Sequence, residues 1–135
     1  MKKNIYVHAC VIPVLFVGML SAGIGMRLGY DRSGPFLYGP CTENIALKGK
    51  SDLEFRWKRN GDMNVRTWNL KIYKGYDTTA DNLIMRKEVE GSRSSVSIPV
   101  DNFEKGQIYS WEIYKVLYGG EKSTRSYCSF SISPK

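Results

Sequence analysis

At 135 residues, 42% of them hydrophobic, the chain has material for one core and excludes a multidomain machine. Nine tyrosines and three tryptophans, with Ala and Leu sparse after the first thirty residues, favour strands over helices. The formal charge is +7, and without Lys2 and Lys3 it is 18 basic residues against 13 acidic ones, scattered as on a solvated face rather than gathered into a basic arm.

The first element is apolar. Met1-Lys2-Lys3-Asn4 is a short basic start, and the 22 positions from Ile5 to Met26 carry no formal charge. Small residues follow in Ser21-Ala22-Gly23-Ile24-Gly25, which is the layout of a secretory signal cut after Gly23 or Gly25. The competing reading is an uncleaved anchor, because a helix of that length spans the roughly 30 Å hydrocarbon core with its lysines on the cytoplasmic side. Residues 1–26 are thus expected to form an N-terminal hydrophobic helix, as signal peptide or membrane anchor. Both readings send the remainder out of the cytoplasm, to a periplasmic, secreted or membrane-anchored location. Residues 27–40 are punctuated by Gly and Pro and read as a linker.

From residue 41 to 135 the chain is a series of short alternating segments separated by turn residues. After a short strand around Ile45 and Leu47, Leu53, Phe55 and Trp57 share one face. Asn60-Gly61-Asp62 turns the chain, and Trp68, Leu70 and Ile72 then point inward, with Asn69, Lys71 and Tyr73 outward. Leu83 to Val89 is a weaker strand, and Val96, Ile98 and Val100 make the next, with Pro99 marking an edge or a strand end. Tyr109, Trp111 and Ile113 face in, opposite Ser110, Glu112 and Tyr114, and the last strand turns Cys128, Phe130 and Ile132 inward. Seven strands, each wetting one face, predict an all-β, seven-stranded antiparallel sandwich.

The stretch Val100-Asp-Asn-Phe103-Glu-Lys-Gly106-Gln-Ile-Tyr109-Ser-Trp-Glu-Ile113 resembles the E–F corner and F strand of a fibronectin type III domain. That family places an apolar residue six positions before a tyrosine whose hydroxyl bonds back to nearby backbone. Phe103 and Tyr109 match this spacing, and Trp57 resembles the tryptophan of the family's second strand. The usual leucine is replaced by Phe103 and the usual proline of the corner is absent. The resemblance covers roughly residues 40 to 134 and implies recognition or adhesion more than catalysis. It also implies that the first and last strands start at the same end of the sandwich, which would bring Cys41 to Cys128. An even pair in an exported domain suggests a disulfide, worth about 4 kcal/mol for so long a loop, while two separate buried thiols are the plainer reading. Cys10 falls in the apolar leader.

The chemistry that the sequence can support is narrow. His8 is the only histidine and lies in the leader, which leaves the domain without an imidazole for nucleophilic triads or a usual catalytic zinc site. No cofactor motif is present. Asp77, Asp81 and Asp101 match no calcium-loop spacing. Glu54 and Glu112 are the carboxylates a minor hydrolase would need, although strand glutamates ordinarily solubilise. The outward Tyr73 and Tyr114, with Lys71, Glu112 and Tyr76, are expected to form an exposed amphipathic patch that suits a protein contact or a sugar ring. A cross-strand aromatic pair that only stabilises the sheet is the plainer reading. The expectation is a non-catalytic envelope module with a protein partner, then a glycan-binding module, then a carboxylate hydrolase. An exported location argues against nucleic acid as the partner.

Overall fold

The computed structural model describes residues 33–59 and 64–135. The leader with its expected helix, His8, Cys10 and the Asn60-Gly61-Asp62 turn lie outside the described residues. Among the described residues, no helix is long and apolar enough to cross a membrane.

Eight strands follow one another: β1 Leu37–Gly39, β2 Asn44–Ile45, β3 Asp52–Trp57, β4 Val65–Lys74, β5 Leu83–Glu90, β6 Ser95–Pro99, β7 Ile108–Leu117 and β8 Ser126–Ile132. They form two sheets, one ordered β1-β3-β6 and the other β2-β8-β7-β4-β5. Alternation accounts for the facing: Leu53, Phe55 and Trp57 from β3 are buried against Trp68, Leu70 and Ile72 from β4 and Trp111 and Ile113 from β7. Burying this set is the main source of stability, at roughly 1.5–3 kcal/mol for each large apolar side chain.

The expected count of seven strands is corrected to eight among the described residues. The added strand is β1, which lies within the stretch read as a linker. Its Leu37 pairs with Trp57 and its Gly39 with Arg56 across an irregular register. The chain then leaves that sheet at a cis Gly39–Pro40 peptide and reappears as β2 in the other. There it runs parallel to β8, with Asn44 opposite Ser131 and Ile45 opposite Ile132, so the sandwich is not wholly antiparallel. The crossing is tied to the core, since the Trp111 indole N–H donates to the Pro40 carbonyl at 2.8 Å. Cys41 and Cys128 are joined in a disulfide at the same place, closing a sequence separation of 87.

Aromatic residues fill one end of the core. Phe103 meets Tyr109 edge-on at 5.1 Å between ring centroids, and Phe55 meets Trp111 in the same manner at 5.1 Å. The backbone N–H of Glu104 donates to the Tyr109 hydroxyl at 2.8 Å, which closes a tyrosine corner over the turn between β6 and β7. Towards the other end Trp57 packs on Trp68 at 5.7 Å, and the Trp68 indole N–H donates to the Gly91 carbonyl at 3.2 Å.

Candidate partner-binding surface

The outer face of the five-stranded sheet carries most of the residues singled out above. Along β4 and β7, Tyr73 opposes Ser110, Lys71 opposes Glu112, and Asn69 opposes Tyr114. On the other side of β7, Glu112 opposes Tyr127 of β8. Tyr73 and Tyr114 therefore do not face each other. They lie in the rows on either side of the Lys71–Glu112 pair.

Pointing outward is not the same as being exposed, and this corrects the expected patch. Tyr73 and Glu112 are both buried. The Tyr73 hydroxyl donates to Glu112 Oε1 at 2.7 Å, while Lys71 Nζ stands 3.9 Å from the same oxygen. Arg125 NH1 lies 3.4 Å from Glu112 Oε2. These longer side chains fold over a short carboxylate, whose side chain is left 3% exposed, while that of Arg125 is 63% exposed. Cations and a hydroxyl thus stand where water would otherwise surround the carboxylate. Its presence also acts on Tyr73. Burial first, then the hydrogen bond to Glu112 and that residue's negative charge, push the phenol up to about 12, against a smaller opposite pull from Arg125 and Arg86.

What remains open to a partner is a strip beside these two residues. Tyr76 is 63% exposed and Tyr127 is 53% exposed. The Tyr127 hydroxyl reaches to within 3.5 Å of the Tyr76 carbonyl, so the two tyrosines stand together at one end. At the other end the half-buried Tyr114 ring has the ammonium groups of Lys71 and Lys122 each 5.8 Å from its centroid. Lys71, Tyr114, Lys122, Ser123 and Arg125 together line a shallow depression of about 280 Å³.

Three of these residues escape the sequence reading. Tyr127 was legible in principle, because Cys128 and Phe130 facing inward leaves Tyr127 outward. Lys122 and Arg125 carry no such signal, since they precede β8 in a segment without alternation.

The two carboxylates of the hydrolase reading are not brought together. Glu54 pairs with Ser97 on the exposed face of the three-stranded sheet, and Glu112 lies on the far face of the other. Two sheet layers and the whole core separate them, and such layers stand about 10 Å apart. No glycosidic bond can sit between both. Among the described residues no group of three or more His, Cys, Asp or Glu is placed to hold a metal ion.

The paired sheets, the short strand exchanged between them and the tyrosine corner decide the architecture. The fold is a fibronectin type III, immunoglobulin-like β-sandwich. A solved structure described as a myokine structure is similar to it, with a TM-score of 0.53 at 15% identity, over 78% of this chain and 100% of that chain. The third fibronectin III domain of human KIAA0343 protein matches with a TM-score of 0.47 at 14% identity, over 79% of this chain and 95% of that one. The fn3 domain of human contactin 1 matches at 0.46 and 12%, over 78% and 89%. At 15% identity the likeness to the first is one of fold. No family model and no curated protein matches the sequence.

Proposed function

We propose that this chain is a non-catalytic binding or assembly module of the cell envelope, which contacts a protein partner through the outer face of its five-stranded sheet. The observation that carries the reading is the strip of Tyr76, Tyr127 and Tyr114 beside Lys71, Lys122 and Arg125. Tyrosine and arginine are the side chains that give a protein contact much area for little lost freedom. Lys71, Tyr114 and Tyr127 lie on strands held by the core, so these groups are already in place before a partner arrives. Export is supported by the apolar leader and by the Cys41–Cys128 disulfide, which suits an oxidising compartment.

A glycan is the second reading, and the arrangement favours it less. Sugar rings stack on an open aromatic face, whereas Tyr73 is buried and Tyr114 already has two ammonium groups near its ring. The hydrolase reading loses its carboxylate pair.

A photo-crosslinking residue placed at position 127 of the full chain, expressed in its native envelope, tests the proposal. The expected result is one discrete cross-linked protein that is absent when the same residue is placed at Ser97 on the opposite sheet. Tyr114→Ala should reduce its yield. Equal labelling from both positions, or none from 127, would defeat the reading. Amino-terminal sequencing of the same material would decide between a cut signal and a retained anchor.

A further inference from the structure

The depression beside Tyr114 has an electrostatic asymmetry that goes beyond a generic contact surface. Three cations, Lys71, Lys122 and Arg125, line it. Among the described residues Glu112 is the carboxylate paired with Lys71 and Arg125, and it is almost wholly shielded beneath them. One buried carboxylate therefore draws two cations to the same place while presenting little of itself to an incoming group. Lys122 is exposed and adds a third positive charge, 5.8 Å from the Tyr114 ring centroid. Glu112 is a positioning residue here: it orders Lys71 and Arg125 without touching the ligand.

We propose that this depression receives an acidic side chain from the protein partner, an aspartate or glutamate within an extended acidic segment. The inference rests on the protein-contact reading above and specifies the partner's chemistry. The depression, about 280 Å³ and open on one side, has room for an aspartate or glutamate side chain. Charge complementarity favours a carboxylate, because two or three ammonium and guanidinium groups around an aromatic wall attract an oxyanion and steer its approach. An open rim leaves the peptide free to continue along the sheet towards Tyr127.

The test uses the purified full chain and a fluorescent oligoglutamate peptide, followed by anisotropy, with heparin as the sulfated-glycan arm. Wild type should bind the peptide, and binding should weaken steeply with added salt. Lys122→Glu leaves every Glu112 pairing intact and should weaken binding about tenfold, which corresponds to losing and reversing one near contact. Arg125→Gln should weaken it less. A melting temperature equal to that of wild type shows that Lys122→Glu is folded, and an oligolysine peptide should then bind the variant better than it binds wild type. The inference falls if wild type ignores oligoglutamate, if Lys122→Glu binds it equally well, or if heparin at matched charge binds more tightly than the peptide. A partner cross-linked from position 127 and indifferent to Lys122→Glu would remove the acidic-segment inference and leave the contact surface standing.

Discussion

Glu112 is a carboxylate that faces out of a sheet and is nonetheless shielded from water, and its neighbours answer for that. It accepts a hydrogen bond from Tyr73 and is flanked by Lys71 and Arg125. The same arrangement makes Tyr73 a reporter. Its phenol loses its proton near 10 in an unfolded chain but only at about 12 in the folded one. Between those values the unfolded state binds fewer protons, so folding stability falls as pH rises and is fully present below pH 10. The loss attributable to Tyr73 is roughly 3 kcal/mol across that window. The measurement is the difference between wild type and Tyr73→Phe in denaturant melts from pH 9 upward, which cancels whatever the two chains share. The variant's decline should be shallower, and tyrosinate absorbance of the folded wild type should show one phenol that titrates late. Parallel declines would show that Tyr73 is not coupled to Glu112 in this way.

Among the elements, the turn between β5 and β6 is the least tolerant. A Cβ added at Gly91 would stand 1.8 Å from the Val65 carbonyl oxygen, with backbone on the other side and no flexible side chain to yield. The Gly91 N–H also donates to the Arg66 carbonyl at 3.0 Å, and its own carbonyl accepts from the Trp68 indole. Gly91→Ala should therefore cost about 3 kcal/mol, by forcing β4 and the turn apart, and the loss would appear as a lower denaturation midpoint at unchanged slope. A variant as stable as wild type would mean that the turn shifts freely. The sequence marks Gly91 as a turn residue but does not tell that Val65 is the neighbour that requires it. This is the general limit of what was legible. Leu53, Phe55 and Trp57, or Trp68, Leu70 and Ile72, declare themselves because a period of two is written locally. Leu37–Gly39 hides as a strand because three residues bounded by Gly and Pro give no period to read. The parallel partnership of β2 with β8 joins residues some 87 positions apart and leaves no local mark. Burial of Tyr73 and Glu112 was hidden for a related reason: alternation gives a direction, and only neighbouring strands decide what lies on top.

At the scale of the whole molecule, the first segment of the domain serves both sheets and is bolted to the last strand. β1 belongs to the three-stranded sheet, β2 to the five-stranded one, and Cys41 beside the crossing is bonded to Cys128 in β8. Replacing both cysteines by serine releases the 87-residue loop and should lower stability by about 4 kcal/mol on the chain-entropy account, seen as an earlier unfolding midpoint. An unchanged midpoint would mean that the core alone fixes the crossing. The candidate surface lies on the outer face of the central strands β4, β7 and β8, away from that crossing's β1 side, so partner contact and closure of the domain draw on different residues.

The parallel pairing of β2 and β8 bears on how the domain would respond to tension. With the Cys41–Cys128 bond reduced, a pull delivered through its two ends draws β2 and β8 in opposite directions along their common axis, so their hydrogen bonds are loaded together in shear and are not peeled apart singly. With the bond intact, once β1 has come away the Cys41–Cys128 bridge takes the load, and everything between those two residues, β2 included, drops out of the path of force. Stretched singly in oxidising buffer, the domain should lengthen only by the residues outside the bridge, and a reductant should release the remainder in a second extension. Full extension without reductant would contradict this. Pulled by its two ends in oxidising buffer, the sandwich between Cys41 and Cys128 would then stay folded under load.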